Sequence, residues 1–266
     1  MPTVERVRHE LRLRLLEVAS VRDLTPRLRR IVLKGDLDGF ASASPDDHVK
    51  LIFPRPGDDA VVLPELGVNG IARDAAAPPT RDYTPRAFDV AAGTLTIDMV
   101  VHGDGPGATW AAAAKPGAQL GQAGPRGSRV ASDDFDWWLL AGDETGLPAI
   151  ARRLEELPAE ARAIVLLEVD AAADELRLET SADVRLAWLH RDGAPAGSTT
   201  LLEDAIRDLA LPVGDGFAWA GCEAGAARRI RAHLREDRGL PKAYTKITGY
   251  WRRGAADHHD PPEDEG

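Results

Sequence analysis

Near residue 132 the hydrophobic rhythm of the chain changes, and that change limits the fold more than any single motif does. From residue 8 to about 130, short apolar or alternating runs are separated by Gly, Pro and Asp: "LRLRLLEVASV", "LRRIVLKG", "HVKLIFP", "TLTIDMVVHG" and "KPGAQLGQAGPRG". Alternation with period 2 sends one set of side chains to a core and the other to solvent. About six such runs with turns between them predict a small antiparallel β-barrel. "WAAAAKPG" breaks the pattern and predicts a short helix stopped by Pro116 and Gly117.

From "FDWWLLAGD" onward, apolar runs alternate with helical spacing. A strand at Trp138–Gly142 precedes "LPAIARRLEEL", where Ile150, Leu154 and Leu157 share a helix face. "AIVLLEVD", "VRLAWLHR", "FAWAGC" and "YTKITGYWRRG" are further strands, with helices at "TTLLEDAIRDLAL" (capped by Thr199 or Thr200) and "AGAARRIRAHLRED". Strand–helix alternation predicts a parallel sheet covered on both faces, a doubly wound α/β domain. The boundary falls in "RVASDD": a β-barrel domain over 1–132, an α/β domain over 133–254, and an acidic tail over 255–266 that reads as disordered.

Composition excludes several function classes. A formal charge of −10 argues against general nucleic-acid binding, which needs a basic face. One cysteine in 266 residues leaves no intramolecular disulfide and no cysteine-ligated iron–sulfur cluster. No apolar run approaches the ~20 residues that span a bilayer. The charged start "MPTVERVRHELRLRLLEV" has no signal core, so the expected compartment is the cytoplasm, with no membrane partner. His258 and His259 lie among acids and prolines, a solvated tail rather than a metal site.

Three stretches carry chemistry. In "RDYTPR" (81–86), Arg81 or Arg86 offers a charge-assisted bidentate contact to a diphosphate, and Tyr83 a flat ring with a hydrogen-bonding tip. Thr84 points to the other face of the strand. Solvent-facing arginines on an edge strand would look the same. In "VVHGDGPGATWA" (100–111), a Gly/Pro loop leads to Thr109 at a helix entrance, where backbone amides and the helix dipole attract an anion. A plain turn and cap is the competing reading, and His102 is a proton donor or a structural histidine. In "GDETGLPAI", strand-end Asp143 and Glu144 suit ribose hydroxyls and Thr145 a carboxamide, or the three cap a helix. "AGDETG" is not GxGxxG, so the motif alone gives no dinucleotide claim. Neither a Ser–His–Asp set nor HExxH is present, and no metal-ligand spacing is visible.

In order, "LTPRLRRIVLKGDLDGF", "DDHVKLIFP", "RDYTPRAFD", "DMVVHGDGPGATWA", "LLAGDETGLPAI", "WAGCEA" and "GYWRRG" resemble the siderophore-interacting protein family, a branch of the ferredoxin reductase-like flavoproteins. The resemblance spans about residues 15 to 254. It implies a six-stranded Greek-key barrel that binds FAD, followed by an NAD(P)H-binding α/β domain. By the same resemblance, Tyr83 and Thr84 meet the isoalloxazine and Arg81 the diphosphate. Val101, His102, Gly107, Ala108, Thr109 and Trp110 wrap the flavin. Asp143, Glu144 and Thr145 open the nucleotide domain, and Tyr250 and Trp251 form the closing aromatic strand. Cys222 reads by residue type as a packed small hydrophobe; it stands where the family pattern W-x-A-G-E-A has glycine, a place where a side chain would either crowd a nicotinamide cofactor or alter access to the flavin.

The function implied is an FAD-dependent ferric-siderophore reductase. It would be a monomer supplied by NADH or NADPH, with a separate ferredoxin as the other donor. Lys50, Lys246 and Arg252 are the expected basic docking residues for the ferric siderophore. A general flavin or quinone reductase, and a non-catalytic siderophore carrier, stay open at this stage.

Overall fold

The alternating runs fold as the period demands. In the computed structural model, the described residues are 1–255 except 56, 59, 68, 69, 72–76, 102 and 104. The chain folds into two compact units, one of Glu5–Val130 and one of Met1–Val4 with Ala131–Gly266. The tail from 256, with His258 and His259, lies outside the described residues.

The first unit contains β1 (Val4–Arg8), β2 (Leu13–Asp23), β3 (Leu28–Lys34), β4 (Val49–Ile52), β5 (Leu66–Gly67), β6 (Gly70–Ile71), β7 (Thr80–Tyr83), β8 (Ala87–Asp89) and β9 (Thr94–Val100). Helix α1 (Pro106–Ala113), β10 (Gln119–Ala123) and β11 (Gly127–Ala131) complete it. The main sheet is antiparallel in the order β7-β4-β10-β2-β3-β9-β8; β1 pairs with β11, and β5 with β6. Leu16 and Val18, Ile31 and Leu33, and Leu95, Ile97 and Met99 alternate into one buried core.

On the opposite face of the β3–β9 pair, Arg30 sits directly across from Asp98. Its Nε and Nη2 each donate to that carboxylate at 2.7 Å. Arg86, buried, brings a second guanidinium to Asp98, with Nε 3.8 Å from Oδ2. Elsewhere in the unit, Ser128 accepts from the Ala43 amide and donates its one proton to the buried Asp47, whose carboxylate only accepts. His9 Nε2, 2.7 Å from Ser128 Oγ, is therefore the donor of that contact.

The second unit contains β12 (Trp137–Gly142), α2 (Leu147–Glu156), β13 (Arg162–Val169), β14 (Asp183–His190), α3 (Leu201–Asp208), β15 (Gly216–Glu223), α4 (Ala224–Ala232) and β16 (Thr245–Trp251). All strand pairs are parallel, in the order β14-β13-β12-β15-β16. Trp137, Leu139 and Ala141 alternate toward a core shared with Leu202 and Ile206 of α3 and Ala227 and Ile230 of α4. Amphipathic α2 buries Ile150 and Leu154. Thr200 is the N-cap residue of α3, but its hydroxyl donates to the Asp204 carboxylate rather than accepting from the backbone. No helix among the described residues is long and apolar enough to cross a membrane.

The Asp98 cluster sets a stability prediction. Replacing Asp98 with Ala leaves the Arg86 cation buried without its carboxylate, a change that costs about 3 kcal/mol or more. Urea unfolding of Asp98→Ala should show that loss, with Asp98→Asn intermediate. A loss under ~1 kcal/mol would mean that the pair is as weak as an exposed one.

Candidate functional site

Residues 81–86 form two different environments. Arg81 and Tyr83 lie on β7, in register with Leu51 and Val49 of β4. Arg81 Nη1 donates to the Thr80 carbonyl at 2.7 Å. Thr84, Pro85 and Arg86 interrupt the ladder and are buried, and the Arg86 amide donates to the Thr96 carbonyl at 2.9 Å. Arg86 is thus committed to Asp98, while Arg81 stays half-buried.

Tyr83 meets Phe53 edge-on, with centroids 6.4 Å apart, and Phe53 in turn meets Trp110 at 5.8 Å. Val101, Tyr83 and Trp110 are all partly buried against the barrel core. A Cβ at Gly107 would collide with the Tyr83 hydroxyl, so only glycine lets the start of α1 lie against that phenol. Burial pushes the Tyr83 phenol upward, against the pull of Arg81, so it stays neutral and able to donate.

Helix α1 begins at Pro106, not at Trp110 as the alanine run predicts. Pro106 occupies the first turn, where a missing N–H costs nothing. Thr109 is therefore an exposed residue one turn inside the helix, its amide donating to the Gly105 carbonyl. The N-cap, Gly105, has no side chain to bond the first amides, and among the described residues the first turn holds no acid. His102 lies outside the described residues. An uncapped helix start, a glycine seat and a neutral phenol beside a guanidinium fit a ligand with a diphosphate and a planar ring, as FAD has.

The second unit presents a different chemistry at the carboxyl ends of its strands. Asp143, buried, accepts at Oδ1 from the Thr145 amide (2.9 Å) and hydroxyl, and at Oδ2 from Trp251 Nε1 at 2.7 Å. Glu144, also buried, takes a two-pronged contact from Arg191, one arm at 3.0 Å. Arg191 Nη1 lies 3.4 Å from Glu168, whose other oxygen accepts from Thr199 at 3.1 Å. Burial raises the Asp143 carboxyl above the ordinary carboxylate range and the Glu144 charge adds to that, against the Thr145 and Trp251 hydrogen bonds. Burial likewise raises Glu168, against Thr199 and Arg191.

Asp143, Glu144 and Thr145 therefore spend their polar atoms on partners inside the unit. Arg191 and Glu168 escaped the sequence reading, since their partners lie far away in the chain. Tyr250 meets Trp219 edge-on at 6.1 Å. Lys50, in the first unit, is held by Asp82 at 2.6 Å, which offsets its charge. In the second unit Lys246 is half-buried and Arg252 exposed. Cys222 is buried in the core beneath α4, packed as a small hydrophobe. Burial keeps its thiol protonated.

Two family models match the chain: "Siderophore-interacting FAD-binding domain" over residues 17–129 and "Siderophore-interacting protein" over 135–254. The chain belongs to the siderophore-interacting protein family. Among relatives, it is 34% identical to the NADPH-dependent ferric-chelate reductase of Escherichia coli over 93% of this chain and 96% of that one. It is 33% identical to the ferric vibriobactin reductase ViuB of Vibrio cholerae over 91% and 90%. The crystal structure of a siderophore utilization protein from T. fusca superposes with a TM-score of 0.90 at 44% identity, covering 97% of this chain and 99% of that chain. The ferredoxin reductase of carbazole 1,9a-dioxygenase shares the fold, with TM-score 0.66 at 16% identity over 91% and 70%. The siderophore-interacting family thus uses a ferredoxin reductase-like scaffold, with an FAD-binding first domain.

The raised Asp143 carboxyl gives a signed prediction. A group whose folded pKa lies above its unfolded value of about 3.9 holds its proton more readily when folded. Its contribution to stability is therefore full at low pH and declines as pH rises through the folded pKa. Urea unfolding from about pH 4 upward should show the advantage of the natural protein over Asp143→Asn shrinking with rising pH. An advantage that grows with pH would refute the sign.

Proposed function

We propose that this protein is an FAD-dependent ferric-siderophore reductase that takes electrons from NAD(P)H and releases iron as Fe(II), in the cytoplasm, for iron acquisition. The uncapped start of α1 against Tyr83 carries this reading, in a chain whose relatives include a ferric-chelate reductase and a ferric vibriobactin reductase. Bound FAD supplies the redox chemistry, accepting a hydride and delivering electrons singly to chelated Fe(III). The side chains orient and hold. Tyr83 and Thr84 meet the ring system, Arg81 the diphosphate, and Val101, Gly107, Ala108, Thr109 and Trp110 line the remainder. His102 is assigned to that set by family resemblance alone; by the same resemblance Asp143, Glu144 and Thr145 open the nucleotide domain and Tyr250 and Trp251 form the closing aromatic strand near the flavin.

Strands β7 and β8 stand at the two ends of the sheet order yet are only three residues apart in the chain. That proximity supports reading β7–β8 as one strand that closes a six-stranded Greek-key barrel, with the FAD domain over 1–132 and the nucleotide domain over 133–254. Lys50, Lys246 and Arg252 are the docking cations for an anionic ferric complex; Arg252 is the exposed one, Lys246 is half-buried and Lys50 is paired with Asp82. We take the working form to be a monomer, with a ferredoxin as the other donor to test.

The purified protein should be yellow, and anaerobic NADH or NADPH should bleach it and drive reduction of ferric siderophores faster than of free flavin or quinone. Equal rates with every acceptor would remove the siderophore claim. Arg81→Ala should weaken FAD retention about tenfold or more, the loss expected for a charge-assisted contact. Undiminished FAD content in that variant would remove the diphosphate role.

A further inference from the structure

In a doubly wound sheet, an anionic ligand lies where the strand order reverses, with its phosphates on the amides that open the flanking helices. Here the reversal lies between β12 and β15, and the flanking helices are α2 and α4. The chain's own carboxylates are already at both openings. At α2, the amides of Thr145, Gly146 and Leu147 all donate to Asp143, the first to its side chain and the others to its carbonyl. The next residue, Pro148, has no N–H to offer. At α4, Glu223 is the N-cap, and its Oε2 accepts from the amides of Gly225 and of Ala226, the latter at 3.1 Å.

The crevice between the two helix starts is also narrow. A Cβ on Gly142 or Gly146 would run into the Gly221 carbonyl. Arg191, the cation at the ends of β12–β14, is engaged by Glu144 and Glu168. The contrast is with α4 alone: the openings of α1 and α2 have no side-chain cap and, among the described residues, no acid in the first turn.

We propose that Glu223 is a specificity-determining residue that keeps the diphosphate of a nicotinamide nucleotide off the start of α4, so that NADH and NADPH are held weakly. The proposal rests on NAD(P)H being the donor. Glu223 acts twice: its oxygen occupies the amides a phosphate would use, and its charge repels the phosphate. At α2 the buried Asp143 side chain takes only one amide, that of Thr145, ahead of the helix, whereas half-buried Glu223 caps α4 itself.

Calorimetric titration of the oxidised, FAD-loaded protein with NADP⁺, NAD⁺ and nicotinamide riboside tests this without turnover. Glu223→Gln keeps an acceptor for both amides and removes the charge. It should bind both dinucleotides about three- to tenfold more tightly, the scale of one charge at a helix terminus, while phosphate-free nicotinamide riboside is unaffected. Should Glu223→Gln fail to hold FAD, Glu223→Ser, a neutral N-cap, carries the same expectation. Neutral variants that bind NADP⁺ no more tightly than the natural protein, or not at all, overturn the proposal. The reductase reading fails separately, if the natural protein shows no nucleotide-driven ferric reduction.

Discussion

The second unit is organised around one buried carboxylate. Asp143 ends β12, holds the first turn of α2 through Thr145, Gly146 and Leu147, and reaches the indole of Trp251 on β16. Those elements lie on both sides of β15 in the sheet, so a single side chain fixes the last strand against the first. Burying a charge is costly, and three donors to the Asp143 side chain offset part of that cost, leaving its carboxyl raised. Neighbouring Glu144 raises the cost and is answered by Arg191. The acidic edge of this sheet is thus a solved electrostatic problem, with its donors already allocated.

The first unit allocates its charges differently. Arg86 and Arg30 both serve Asp98, locking the strand that carries Tyr83 to the far side of the sheet. With Arg86 anchored there, the proposed diphosphate contact falls to Arg81 and the start of α1. The two arginines of "RDYTPR" look equivalent and do opposite work, one internal and, in the proposed function, one turned to a ligand. Each unit contains helix starts with the same backbone chemistry. Among α1 to α4, only α4 has a side chain, Glu223, bonded to its opening amides.

Much of this was legible in the chain. The runs read as strands carry the buried Leu16, Val18, Leu95, Ile97 and Met99, although the opening alternation of "LRLRLLEV" breaks at exposed Leu15 beside buried Arg14, and the switch near 132 foretold parallel β-structure. Local composition predicted less well where tertiary partners decide. The alanine run after Thr109 looked like the whole of α1, yet Pro106 starts it, because proline is preorganised for a first turn. "GDET" carried two readings, ligand and cap; the Asp143 carboxylate bonds the Thr145 amide and hydroxyl, and α2 starts behind them at Gly146 with no side-chain cap. Arg191 and Glu168 gave no signal, since nothing in "EVD" or "LHRDG" says that one would find the other across the strand ends. Cys222 looked like an obstruction from its motif position, but strand alternation turned it inward.

That inward turn has a chemical consequence. A protein that liberates Fe(II) works beside a source of oxygen radicals, and thiols and thioethers are the side chains most readily oxidised. This chain contains three sulfur atoms. Cys222 lies in the core of the second unit and Met99 in that of the first, both essentially without solvent contact. Only Met1 is open to water. Oxidant made at the iron would meet two folded cores that hold their sulfur out of reach, and one expendable thioether at the chain terminus.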